Sequence, residues 1–340
     1  MDNSITILKD DNWEWNLKGN TNRIIKYNED LMSLLASVFE TNATWESIKL
    51  VNLQSKNLIK VLDKLEQCKT KVKDFKPIYS EGFHETDSIK KGILKKEISN
   101  CSEDFLILTG PMISVSYPLF KIPQINCSES SHYDFYDLTQ SQKNEGIRTI
   151  YKLNNDSEKS SSDYYRIAFR KMVDVDGERT LQPSLITPRM KHVNSIISVE
   201  HESKDFILKL LSLSSSIVLD FFIKTMGSPN IYGSLIDLFP LIVKDSIKDK
   251  LFLRVLKLNC VNDFYTDFWK ENYNIKFQED KWSIYRSGLE NLITIKDKDE
   301  LNPLKNLISR RQALIEIDVL TAMNYGMTLD ELIEIYLIIS

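Results

Sequence analysis

Glycine is scarce in this chain, ten in 340 residues, and none of the ten stands in a Gly-x-Gly-x-x-Gly or Gly-x-x-x-x-Gly-Lys-Ser/Thr arrangement. Loops that wrap a phosphate need bare backbone at closely spaced positions, so these absences exclude a P-loop and a Gly-rich dinucleotide or adenosylmethionine turn. Cysteine is equally thin: Cys68, Cys101, Cys127 and Cys260 lie far apart with no Cys-x-x-Cys pair. Neither a zinc ribbon nor a disulfide framework fits that spacing, and a reduced, cytoplasmic setting is the expectation. No apolar run reaches the length of about 18 residues that a membrane span needs, and the polar start MDNSITILKDD is not a signal peptide, so no membrane partner is expected. A basic excess is missing too, since Lys plus Arg is 44 against 48 for Asp plus Glu, a net charge of −4. Binding to nucleic acid therefore requires cations gathered on one face.

Catalytic patterns are absent as well. There is no Gly-x-Ser-x-Gly elbow and no Pro-Asp with Glu-x-Lys nuclease motif. His84, Glu85 and Asp87 lack the second histidine four residues on that a helical zinc site needs. Asp174, Asp176 and Glu178 stand beside Arg179 with no calcium-loop template, which reads as a surface turn. No catalytic residue, metal ligand or cofactor is assigned to this chain.

What is present is apolar patterning: 42% of residues are hydrophobic and 27% charged, enough for a large core and, at about 100–200 residues per domain, for two or three domains. Three regions are expected, 1–98, 99–243 and 244–340. In the first, Trp13 and Trp15 lie on an alternating segment suited to an edge strand. Asn28, Glu29 and Asp30 open a helix carrying Leu31, Leu34, Leu35 and Val38, and Ser55 precedes another with Leu58, Ile59, Leu62 and Leu65 on one side. Lys-rich KTKVKDFK follows, and then YSEGFHETDSIKKGILKKE with four lysines.

In the second region, Ile113, Val115 and Tyr117 alternate with Ser114 and Ser116 at the period of a half-buried strand. Residues 133–162 read as a surface excursion, and Tyr165, Ile167, Ala168 and Met172 as a helix opened by Asp163. Two strands, Ser184 to Thr187 and Ser195 to Val199, bracket a loop holding Arg189, Lys191, His192 and Asn194. Arg suits guanine edges, Asn suits adenine edges and Lys suits phosphate, although a solvated loop has the same composition.

The stretch from Asp205 to Val243 organises the rest: a buried helix through Ile207, Leu211, Val218 and Phe222, a change at Gly227, a turn through Asn230, Tyr232 and Ser234, and an apolar exit. This stretch resembles the target recognition domain of adenine-specific DNA methyltransferases of type I and fused type IIG restriction-modification enzymes. LTGPMISVSYPLFKIP is similar to an SGP-x-x-x-x-NPxxK-x-P block of large proteins in that group, but Ser116 and Tyr117 stand where the family tends to have Gly and Asn. Without that amide, methyl transfer is not assigned here.

The last region reads as a helix or helix pair from Leu251 to Trp269, then a helix opened by Ser309 with Ala313, Leu314, Ile317, Leu320 and Met323 inward. Gly326 stops it, and Thr328 with Glu331 forms a capping box for a second helix, stapled by Met327 and Leu332. RRQALIEIDVLTAMNYGMTLDELIEIY resembles the helix pair that follows the recognition domain in type IIG-like methyltransferases.

The fold expected is α+β, a small mixed sheet with bracing helices and a C-terminal helical pair. The resemblance implies a DNA-recognition module without catalysis of its own, meeting double-stranded DNA through Lys121, Arg189, Lys191, His192, Asn194, Lys224, Asn230, Tyr232 and Ser234. Methyltransferase and nuclease parts of the same longer polypeptide are its expected partners, and S-adenosylmethionine and Mg²⁺ belong to that parent alone. The apolar end Ile338, Ile339 fits a piece of such a polypeptide. A scaffold module of a phage-defence complex is the alternative, and an enzyme with an unrecognised site a third.

Overall fold

The computed structural model describes residues 24–40, 44–51, 53–100, 102–128, 132–139, 146–154, 164–173 and 177–339. Trp13, Trp15, Asp163, Asp174 and Asp176 lie outside them. In chain order the strands are β1 (Ile78–Ser80), β2 (Leu94–Asn100), β3 (Ile107–Leu108), β4 (Ile113–Ser114), β5 (Tyr117–Pro118) and β6 (Lys121–Pro123). They continue with β7 (Tyr133–Phe135), β8 (Arg148–Leu153), β9 (Arg166–Arg170), β10 (Pro183–Ile186), β11 (Lys191–His192) and β12 (Ile196–Glu200). The helices are α1 (Glu29–Phe39), α2 (Asn57–Glu66), α3 (Glu85–Lys90), α4 (Lys204–Ser214) and α5 (Ile217–Met226). After these come α6 (Gly233–Ile236), α7 (Asp245–Asn259), α8 (Thr266–Asn272), α9 (Leu307–Asn324) and α10 (Leu329–Ile339). The fold is α+β, with small sheets braced by helices.

The central sheet is antiparallel in the order β1-β12-β9-β10. β9 corrects the sequence reading, which makes 165–172 a helix. Its first four residues are all buried because the strand lies inside the sheet and is covered on both faces, so it shows no alternation to read. The run from Ile113 to Tyr117 is likewise two short strands: the chain folds back at Ser116 (φ 48°) and pairs Ser114 with Tyr117. Within the surface excursion expected at 133–162, Tyr133–Phe135 (β7) pairs with β6 and Arg148–Leu153 (β8) pairs with β2.

The single buried helix expected in the first half of the organising stretch is two, α4 and α5, bent by 73° between Ser214 and Ile217. The serine hydroxyls take over the backbone's role: Ser214 and Ser215 donate back to the carbonyls of Leu210 and Leu211 at 2.5 and 2.6 Å, and Ser216 caps α5. Gly227 ends α5 in the left-handed region (φ 66°), as expected of a C-terminal glycine. The exit after α6 lies along residues 70–73, with Val72 N–H donating to Phe239 at 3.0 Å and Leu241 N–H to Thr70 at 2.9 Å.

The capping box is formed: Thr328 N–H donates to Glu331 at 2.7 Å and Glu331 N–H to Thr328 Oγ1 at 3.3 Å, with Met327 and Leu332 buried beside it. The inward face of α9 is another matter. Ala313 and Ile317 are buried, but so are Arg310, Gln312, Glu316, Asp318, Thr321 and Asn324, while Met323 is 55% exposed. These polar groups point inward because they hold neighbouring segments by specific bonds. Glu316 meets Arg254 of α7 at 2.6 Å, and Asn324 donates to Ile242 at 2.6 Å. The main apolar core runs from Leu31 to Ile335, drawing on all three sequence regions, and a smaller cluster gathers Leu94, Ile107, Tyr151 and Val193.

Candidate nucleic-acid interface

The sequence places Lys191 and His192 in an exposed loop; the structure corrects this. They form β11, paired in parallel with β3, and both are buried. Lys191 Nζ donates to the Asp104 carbonyl at 3.3 Å, and burial lowers its pKa. His192 Nε2 is 2.8 Å from Ser198 Oγ, and burial, reinforced by the Arg166 charge, pushes its pKa down to about 4. It is a neutral core imidazole at pH 7. Gly82 (φ 65°) packs directly on it, since a Cβ there would lie 2.1 Å from the His192 carbonyl oxygen.

Other cations chosen from sequence are already engaged. Arg189 is exposed but 3.6 Å from Asp104, and Lys121 Nζ lies 4.8 Å from the Phe135 ring centre. Lys224 sits on α5, not in the following loop, and donates to the Gly177 carbonyl at 2.8 Å.

Asn194, Asn230 and Tyr232 do come together. The segment after β9 binds the loop after α5, with Val173 N–H donating to Pro229 at 3.0 Å and Ile231 N–H to Lys171 at 2.8 Å. Lys171 Nζ then lies 5.7 Å from the Tyr232 ring centre and 2.8 Å from Glu81. Asn194 donates to that same carboxylate at 3.2 Å, and Asn230 to Tyr232 Oη at 3.3 Å. Ser234 is exposed in the first turn of α6, whose Gly233 leaves room for the Tyr79 ring.

Beside this cluster stands a group of cations that the sequence-based choice omits. β2 and β8 form a two-stranded antiparallel ribbon that puts Lys95 opposite Lys152. Gly92 (φ 71°) turns the chain from α3, which ends at Lys90 with Lys91 following, into β2, where Lys95 and Lys96 project to opposite faces of the ribbon. All five lysines are exposed. Glu97 draws in Lys95 at 2.6 Å and Lys152 at 3.7 Å, which lowers its own pKa, whereas Lys90, Lys91 and Lys96 make no ion pair among the described residues. A depression of about 270 Å³ is walled by Lys96 and Tyr151 on the ribbon side and by Ser195, next to Asn194, on the other. Of the five lysines only Lys96 lines it, and Asn194 adjoins it through Ser195. The doublets in KKGILKKE were the available signal, but only the pairing with β8 sets Lys95 against Lys152.

No protein-family model matches the sequence, and no curated protein matches it. Among solved structures, the chain is similar to the Type IIL restriction-modification enzyme MmeI in complex with DNA, at 12% identity and a TM-score of 0.38, over 76% of this chain and 35% of that one. The chain thus spans about a third of the MmeI chain, and so loose a likeness carries no residue roles across.

Proposed function

We propose that this chain is a DNA-binding module that selects sites for a restriction-modification or phage-defence methyltransferase, acting beside catalytic parts in one longer cytoplasmic polypeptide. The observation that carries this reading is a depression with the exposed Lys96 on one wall and Ser195, the chain neighbour of Asn194, on the other. Lysines supply sequence-independent attraction to phosphate, and amides are the side chains that read adenine edges. S-adenosylmethionine and Mg²⁺ would be held by the catalytic parts.

Duplex binding measured over a salt series tests it. Affinity should fall with a log–log slope of roughly −0.9 per phosphate engaged, and replacing Lys90, Lys91 and Lys96 by alanine should make that slope shallower by up to about 3. A salt-independent affinity, or a triple variant that binds like the parent, removes this surface from the reading. Asn230→Ala should instead alter sequence preference at an unchanged slope.

A second reading, a protein-interaction module, is favoured by one feature. Leu329, Ile333 and Leu337 are 69%, 43% and 38% exposed at helical spacing along α10. Charged substitutions on this row should abolish partner binding and leave DNA binding intact if that reading holds.

A further inference from the structure

A cavity of about 400 Å³ lies between the β4–β5 turn, residues 178–182 and the first turns of α9. Three of its wall residues are arginines, and two are the aromatics Tyr117 and Phe120, whose ring centres are 5.3 Å apart. Arg310 is 4% exposed and lies 3.8 Å from the Tyr117 ring centre. Its guanidinium donates to the carbonyls of Leu304, Ser116 and Leu258 at 2.9–3.0 Å, and no carboxylate among the described residues pairs with it. Burial pulls its pKa down to about 10, so the charge persists at neutral pH. Its charge, met by three carbonyl dipoles and the Tyr117 ring, leaves the cavity electropositive.

The second arginine, Arg179, is paired with Asp318 through both terminal nitrogens, yet its buried Nε has no acceptor. The third, Arg311, is half exposed at the rim and paired with Glu178, a surface contact that a stronger anion can displace. Backbone strain surrounds the same wall: Ser116 (φ 48°) and Leu119 (φ 58°), neither of them glycine, flank Tyr117 and Pro118. The surroundings hold this turn in place, with Ser116 N–H donating to Pro183 at 2.7 Å and the Ser116 and Ser215 hydroxyls 2.6 Å apart.

From this combination we infer that the cavity binds a nucleoside monophosphate unit, its base against Tyr117 and Phe120 and its phosphate at Arg311. The unit can come from a free nucleotide or from a single strand. This does not rest on the DNA reading above, because the lysine ribbon contributes nothing to the cavity.

Calorimetric titration of the full chain with AMP, adenosine, inorganic phosphate and a 5′-phosphorylated trinucleotide is the test. AMP should bind saturably, with adenosine and phosphate each at least about tenfold weaker. Arg311→Ala should weaken AMP by about tenfold without moving the thermal midpoint, since it loses only a surface pair, and Glu178→Gln should tighten it by freeing Arg311. A trinucleotide tighter than AMP identifies a strand as the source, and the reverse a free nucleotide; either supports the site. The variant lacking Lys90, Lys91 and Lys96 should keep its AMP affinity whatever happens to duplex binding. No saturable binding of AMP or trinucleotide, phosphate as tight as AMP, or indifference to both substitutions overturns the inference.

Discussion

Replacing Asp318 by alanine is expected to destabilise the protein by about 3–5 kcal/mol, the usual cost of orphaning one member of a buried pair. The Asp318 side chain is fully buried and accepts from Arg179 at 3.0 and 2.6 Å, from the Ile217 N–H at 2.8 Å and from the Tyr336 hydroxyl. Arg179 on the loop before β10, the start of α5, α9 and α10 therefore meet at one carboxylate. Without it, a guanidinium and an N-terminal helix donor are left facing a low-dielectric interior. Urea unfolding reads the loss as a lower midpoint. The double variant Arg179→Met with Asp318→Leu should recover much of it, because two apolar groups leave no charge stranded. A single variant costing under about 1 kcal/mol would show that the pair is solvated.

The second large effect concerns two buried groups whose titrations oppose each other. His192 has a folded pKa of about 4, below its usual value of 6.5, owing to burial. The unfolded chain takes up this proton first, so the stability His192 contributes is full above pH 6.5 and drains away as pH falls towards 4. Asp220 is the reverse case. Burial pushes its carboxyl up to about 6 from 3.8, against N–H donation from Leu181 and Thr180 and the charges of Lys224 and Arg179. The folded state then binds its proton first, and stability from this group is lost as pH rises through 6.

Each displacement is worth about 3 kcal/mol, so across pH 4–6 the two slopes offset. Relative to the parent, His192→Gln should therefore become more stable by about 3 kcal/mol between pH 7 and 4, and Asp220→Asn less stable by a similar amount. Urea midpoints at the two pH values decide this. Variants that run parallel to the parent would mean that neither group is desolvated as the structure places it.

Much of the helical framework follows from local chemistry. Asn28 caps α1, Gly227 and Gly326 end their helices in the left-handed region, and Thr328 with Glu331 starts α10, all through contacts within four residues. Such features are legible because the residues that decide them are neighbours in sequence. The candidate interface was legible only in part. Asn194, Asn230 and Tyr232 share a surface, whereas His192 and Lys191 are buried by pairing with a strand more than 80 residues away. Composition cannot separate a polar loop from a short buried strand, since the partner that removes it from water lies elsewhere in the chain.

Residue type and short-range spacing are enough to read the α+β class, the helix ends and the absence of Gly-rich phosphate loops. Long-range packing is what turns the charges of α9 inward, sets Lys95 opposite Lys152 and encloses Arg310 with no paired carboxylate among the described residues. Each of these follows from where distant segments pack, and burial converts an ordinary charged side chain into one that must find a partner.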